Sequence, residues 1–292
     1  MKKVPVLITF DVDPCEKLEE AIDYALELTK ANGIKATFFY TASYAEHKTL
    51  QKIAQDGHEI GCHGLYHDDT EEFHRLPKEA AQQILGEATE RLEKLLGKPI
   101  RSFRSPRVKT SSSTLSVLEE LGYSVDSSVC SQRLDFLSSN LINPGWLIAP
   151  RNPYHPSKTS PYRKGEMKLF EIPVSAFMIP FVSTTLRIFG VTFMKCLFEL
   201  FYLESKLTGK PIVYLVHPHE FVYEKRIPFS WKLFIPHRTW LIRGFPLRVW
   251  MGRRYLGEKI HIMNHELFSW IAKHNVEFLT MEEYVKKYQS HS

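Results

Sequence analysis

Gly57-His58-Glu59-Ile60-Gly61-Cys62-His63-Gly64-Leu65-Tyr66-His67 holds the end of a helix, a strand and a bent loop in one short stretch. Asp56-Gly57 closes the helix, His58 to Gly61 reads as a short buried strand, and Gly64 lets the backbone turn between two imidazoles. His63 and His67 can therefore converge, because a four-residue spacing brings two rings to one side of a helical turn or tight loop. The pair alone does not define a metal site. With 13 histidines in 292 residues, close pairs arise by chance, and two loop histidines account for it until a further ligand is found.

Outward from this stretch, strands and helices alternate. Val4 to Phe10 reads as a strand, Glu16 to Asn32 as a helix stopped by Gly33, Ile34 to Tyr40 as a strand and Ala42 to Gln55 as a helix. Beyond it, Pro77 to Leu96 is an amphipathic helix closed by Gly97, Ile100 to Phe103 a strand, and Ser111 to Leu121 a helix. Tyr123 to Val125, Trp146 to Ala149 and Leu169 to Ile172 are expected strands, with an irregular proline-rich stretch over 131–165 between them. Val191 to Leu207 is a helix, Pro211 to Val216 a strongly apolar strand, and His261 to Lys273, Val276 to Leu279 and Met281 to Tyr288 close with helix, strand and helix.

Repeated strand and helix units predict a mainly parallel sheet, either doubly wound or closed as a barrel. Position favours the barrel: Asp11, His63, Arg104 and His217 each fall just after the C-terminal end of an expected strand, the face on which barrels carry their chemistry. An open sheet would gather only those near its switch point.

Composition sets outer bounds. With 43% hydrophobic and 24% charged residues, 292 residues bury a full core and fit one domain over 1–292 that carries an insertion at about 221–257. Cys15, Cys62, Cys130 and Cys196 are scattered, which argues for a reducing compartment. The apolar run after Met1-Lys2-Lys3 meets Asp11 too early for a signal-peptide core, so a cytoplasmic location is expected, with a peripheral place on the inner face of the membrane as one reading of the basic run at 221–257. The most apolar long stretch, Ile172 to Leu203, is interrupted by Pro173, Pro180, Arg187, Lys195 and Glu199 and does not read as a spanning helix.

Asp11-Val12-Asp13 supplies what the histidine pair lacks: two carboxylates at a strand end, one able to bind metal while the other stays free. A His, His, Asp set with open positions suits a hydrolytic metal site, and the spare carboxylate suits a general base. Helix capping explains one of these aspartates better than both. Arg104 can pair with a buried carboxylate, or lie on the surface. Asp126 can cap a turn or orient a histidine. His217, in Leu215-Val216-His217-Pro218-His219-Glu220, is placed as a general acid.

In this order along the chain, Thr9-Phe10-Asp11-Val12-Asp13, His63-Gly64-Leu65-Tyr66-His67, Arg104-Ser105-Pro106, Asp126 and Leu215-Val216-His217 resemble the five motifs of the polysaccharide deacetylase family, carbohydrate esterase family 4. The resemblance covers most of residues 1–220 and the closing segment from His261. It implies a distorted (β/α) barrel of about seven strands. It implies a divalent metal, zinc, on Asp13, His63 and His67; Asp11 as base, positioned by Arg104; Asp126 as the fourth motif; and His217 as acid. Departures from the pattern bear on substrate. Val12 separates the aspartates, as in the branch with cyclic-imide hydrolases and some peptidoglycan deacetylases of intracellular type, and the fourth motif lacks its usual tryptophan. Arg107 stands where an aromatic residue is common; Arg107, Arg187 and His219 are the candidates for touching substrate. The expected reaction is removal of an N-acetyl group from a sugar, free, on a lipid carrier or in a nascent polysaccharide. A cyclic-amide or N-formyl sugar hydrolase is the enzymatic alternative, and a non-catalytic barrel that binds glycan or lipid the other.

Between Phe221 and Gly257 eight lysines and arginines face the single acid Glu224, a net +7 that leaves −2 for the remainder of a chain of net +5. Trp231, Trp240 and Trp250 lie among these cations, a mixture suited to an anionic membrane interface or a lipid-linked sugar. A solvated lid with its aromatics packed back on the barrel is the alternative. Nucleic acid ranks below both, because no nucleic-acid fold motif accompanies the run. Nothing in the sequence speaks to oligomeric state.

Overall fold

The computed structural model describes residues 3–134, 143–223, 231, 250 and 254–289. Its elements run β1 (Val4–Val12), α1 (Leu18–Ala31), β2 (Ala36–Tyr40), α2 (His47–Gln55), β3 (Glu59–Cys62), α3 (Lys78–Leu96), β4 (Ser102–Phe103), α4 (Ser112–Glu120) and β5 (Val125–Asp126). They continue with α5 (Pro144–Ile148), β6 (Pro156–Ser157), β7 (Ser160–Lys164), β8 (Phe170–Glu171), β9 (Ala176–Phe177), β10 (Ile179–Pro180), α6 (Ser183–Thr208), β11 (Ile212–Val216), α7 (His219–Val222), α8 (Glu258–Ile271), β12 (Val276–Phe278) and α9 (Met281–Gln289).

Seven of these strands pair in the order β11-β1-β2-β3-β4-β5-β8, every pair parallel. Val6 pairs with Ile212 of β11 and also with Phe278 of β12, so β12 lies on the opposite edge of β1, below β2. The sheet curls until its ends nearly meet. Ser175 closes the remaining gap, its N–H donating to Val213 O (3.2 Å) and its Oγ accepting from Val213 N (2.9 Å), and Val182 bridges to Leu215. The result is the expected distorted barrel.

A strand buried on both faces is what a parallel sheet under helices requires, and all nine residues of β1 are buried. Its alternation sorts side chains between two cores. Val6, Ile8, Phe10 and Val12 point to the helix-covered outside, while Leu7 joins Phe39, Val125, Val213 and Leu215 in the barrel interior. The period of two therefore sends Thr9 and Asp11 inward as well. Gly61 on β3 leaves room for the Phe39 ring: a Cβ there would stand 2.7 Å from Phe39 Cδ1 and 2.8 Å from Ser102 O. At the opposite mouth α9 plugs the barrel with Met281, Tyr284 and Val285. Its first amides donate to Thr37 Oγ1 and to the buried Glu59, an anion at a helix N-terminus.

Three local expectations need correction. Trp146–Ala149 is not a strand but the end of α5 and its C-cap, because Asn143 caps the helix by accepting from Gly145 N and Pro144 sits at its first position. The helix expected over 42–55 is a 3₁₀ turn at Ala42–Tyr44 followed by α2. The helix expected from Val191 begins at Ser183, kinked at Gly190 with φ of 83°. Most of the basic run at 221–257 lies outside the described residues. Among the described residues, no helix is long and apolar enough to cross a membrane.

Candidate metal-assisted active site

Because Val12 separates them, Asp11 and Asp13 leave the end of β1 on the same side, whereas adjacent residues of a strand would point apart. Asp13 meets the histidines of the loop after β3. Its Oδ1 is 3.4 Å from His63 Nε2 and 3.3 Å from His67 Nε2, and the three donor atoms lie within 4.8 Å of one another. Asp13 Oδ1 is buried but hydrogen-bonded to neither ring. A buried carboxylate oxygen facing two imidazole nitrogens without a bond to either fits a shared cation. His63 strengthens the case: its Nδ1 lies 2.7 Å from Arg104 O, a carbonyl that can only accept. Nδ1 therefore carries the proton, and the Nε2 lone pair turns to the cluster.

The loop itself is held by Glu71. Its Oε1 accepts from Leu65 N (2.7 Å) and Tyr66 N (2.8 Å), and its Oε2 from His67 N (2.9 Å). Gly64 lies directly over this carboxylate, where a Cβ would come within 2.4 Å of Oε2, and His67 adopts φ of 59°, unusual for a non-glycine residue. Spacing alone brings His63 and His67 near each other; the buried acid fixes how they point.

Asp11 is clamped from beneath. Arg104, fully buried, donates through Nη1 to Asp11 Oδ1 (2.8 Å) and Thr9 Oγ1 (2.7 Å), through Nε to Ser127 O (3.0 Å) and through Nη2 to Ser127 Oγ (2.8 Å). Its guanidinium lies 4.4 Å from the centre of the Phe39 ring. Asp11 Oδ2 faces His63 Nε2 at 3.9 Å. On the other side of Asp13, its Oδ2 faces His217 Nε2 at 3.9 Å and His219 Nδ1 at 3.6 Å.

The charges are strongly coupled. Burial opposes ionisation of Asp13, but His63, His217 and His67 outweigh it and hold its carboxyl well below the usual range. Burial would depress His217; Glu220 and Asp13 reverse this and push it up to about 9. His63 is raised against its burial by Asp11 and Asp13, whereas burial keeps His67 and His219 low.

Three expected residues sit differently. Asp126 contacts no histidine through its hydrogen bonds: it accepts from Ser128 Oγ (2.5 Å) and lies beside Glu171, its partner in the β5–β8 register. Burial raises it to about 6 and Glu171 further, so this pair shares a proton inside the barrel wall. Arg187 is buried, not open to substrate, with Nη2 donating to Glu220 Oε1 (2.7 Å) and Thr184 Oγ1 (3.0 Å). Arg107 pairs with Asp69 (2.7 Å) and with Glu72, tying the loop after β4 to the one after His67. Sequence reasoning passed over Glu71, Glu171 and Glu220. Glu71 stands in the acidic run Asp68-Asp69-Thr70-Glu71-Glu72, where nothing sets it apart.

The chain joins a curled parallel barrel to this cluster at the C-terminal ends of its strands, and known proteins are similar to it in part of the sequence and in fold. Residues 1–125 match the family model for polysaccharide deacetylase. A chitin deacetylase from Pestalotiopsis sp is 32% identical over 126 residues, which are 40% of this chain and 39% of that protein. The chain thus spans about two fifths of the length of this curated relative. A crystal structure assigned by name to a polysaccharide deacetylase of Mycobacterium smegmatis superposes with a TM-score of 0.61 at 17% identity, covering 99% of this chain and 91% of that one. A T48 deacetylase solved with substrate gives 0.50 at 14% identity, over 98% and 92%. At these identities the solved structures speak for the fold.

Proposed function

We propose that the chain, read as one catalytic unit over 1–292, is a hydrolase that removes the N-acetyl group of a sugar, with zinc on Asp13, His63 and His67. The observation that carries this reading is the unbonded, buried Asp13 Oδ1 between two imidazole nitrogens, beside a second carboxylate clamped by Arg104. The family-model match over residues 1–125 and the name of the fungal relative support an N-acetylated sugar as substrate.

Bound there, zinc supplies Lewis-acid polarisation of the amide carbonyl and a more acidic water. Asp11 has one oxygen committed to Arg104 and the other turned to the cluster, so it takes the proton of the attacking water. Arg104, bonded to its Oδ1, stops that carboxylate rotating. His217, with Nε2 toward the cluster, gives its proton to the departing amine. His219 stands beside it at the rim and contacts the sugar, as does Arg107 on the neighbouring loop. The basic, tryptophan-rich run at 221–257 brings this face to an anionic membrane or a lipid-linked sugar.

Acetate release from chitin oligosaccharides and from lipid-linked N-acetyl sugars tests the reading. It predicts acetate with zinc, none after chelation, and none from Asp11→Asn. Release of formate instead, or opening of a cyclic amide, would move the protein to the alternative hydrolases. For the basic run, sedimentation with phosphatidylserine vesicles should lose the protein when 224–256 are deleted; undiminished binding by the deletion contradicts the membrane role.

A further inference from the structure

Asp126, open from the sequence to capping a turn or orienting a histidine, is turned into the barrel wall against Glu171 and Ser128 and does not stand behind the acid histidine. A different acid stands behind His217. Glu220, on the first turn of α7, places Oε1 3.5 Å from His217 Nδ1. Glu220 is itself buried and held by the buried Arg187 of α6 (2.7 Å), whose Nη2 is steadied by Thr184. Pro218 between the two histidines starts the turn that brings residue 220 back under residue 217, and Glu220 N donates to His217 O (3.0 Å).

We infer that Glu220, anchored by Arg187, is the positioning residue for His217. Its carboxylate faces Nδ1 at ion-pair distance, 3.5 Å, without a hydrogen bond in this structure, and by its charge favours the proton on that nitrogen and the ring orientation that leaves Nε2 facing the reacting amide. This assignment rests on the reading of the chain as an amide hydrolase with His217 as its acid. An imidazole bonded to a carboxylate through Nδ1 has one orientation and one neutral tautomer, with the second proton of the charged form on Nε2. Without the carboxylate, Nδ1 becomes free to turn toward the cluster, and the proton that the leaving amine needs is misplaced. Arg187 acts through Glu220: it spends its charge on the acid inside the protein and does not reach the substrate.

Two variants and one spectroscopic readout test this. Glu220→Gln keeps the shape and removes the charge, while the double variant Arg187→Met/Glu220→Leu replaces the buried pair by apolar side chains of similar volume and stays folded. Deacetylation of chitin oligosaccharides should show kcat lower by about 10²- to 10⁴-fold, the usual worth of a general acid, in the double variant. KM and zinc affinity should stay within about twofold of wild type, whereas mere loosening of the fold would move all three. Long-range ¹⁵N–¹H spectra of histidine-labelled wild type should show His217 protonated on Nδ1, a signature lost in the double variant. A wild-type His217 unprotonated on Nδ1, or a folded double variant with kcat within about threefold of wild type, overturns the proposal. Because the spectra need no turnover, a protein that released no acetate would count against the hydrolase reading while the Nδ1 signal still decided the role of Glu220.

Discussion

Replacing Glu71 by glutamine perturbs the candidate metal loop without touching a proposed ligand. The carboxylate takes three backbone amides, of Leu65, Tyr66 and His67, at 2.7–2.9 Å. Hydrogen bonds to a charged acceptor contribute about 1.5–3 kcal/mol each, roughly twice a neutral one. Glutamine keeps one oxygen for Leu65 and Tyr66 at the weaker, neutral strength and turns an NH₂ toward the His67 amide. Donor then meets donor, and leaving that N–H unpaired costs about 1–3 kcal/mol. Halving the two retained bonds and leaving the third N–H unpaired together predict a loss of about 2.5–6 kcal/mol of stability in Glu71→Gln. His67 is held at φ of 59° by that same amide contact, so its ring relaxes away from His63 and Asp13. Supporting contacts of this kind alter metal affinity by about 10- to 100-fold. Urea denaturation of the metal-free protein and competition with a zinc chelator measure the two effects separately. Stability within about 0.5 kcal/mol and unchanged zinc affinity would refute the reasoning.

Arg104→Met leaves Asp11 a buried carboxylate without its hydrogen-bonded cation and should cost about 3–5 kcal/mol by chemical denaturation, against a far smaller loss for a surface arginine such as Arg75. A pH effect follows from Lys210, whose ammonium is buried against Glu204 (2.7 Å) and whose pKa burial pulls down from 10.5 to about 8. Below pH 8 folded and unfolded chains both hold the proton, and the burial penalty is present in full. Between about 8 and 10.5 the unfolded chain binds more protons, so stability rises with pH. Relative to Lys210→Met, the wild type should gain about 2–3 kcal/mol between pH 8 and pH 10, followed by urea denaturation at each pH; a flat difference removes the effect.

What the sequence made legible follows from which physics is local. Strand ends show in hydrophobic periodicity, so Asp11, His63, Arg104 and His217 could be placed on one face of a barrel before any coordinates. The Asp-Val-Asp spacing carried its own geometry, because a period of two sends both carboxylates to one side. Pairings set by register across distant segments left no such trace. Asp126 meets Glu171 only because β5 lies beside β8, and Arg187 meets Glu220 only because α6 packs near α7 at the end of β11. For that reason an arginine offered as a substrate contact proved to be internal, and an aspartate offered as a turn cap or a histidine's partner proved to belong to the wall. Trp146 was misplaced for a nearer reason: its apolar neighbours suggested a strand, although Asn143-Pro144 already marks the start of a helix.

The central claim is that Asp13, His63 and His67 hold a single divalent ion that the deacetylation requires. Calorimetric titration of the metal-free protein with zinc tests this most directly: wild type should bind one ion per chain, and Asp13→Ala should bind none at that site while remaining folded. A wild type that binds no zinc, or an Asp13→Ala variant that binds it with the same stoichiometry and affinity, would contradict the account.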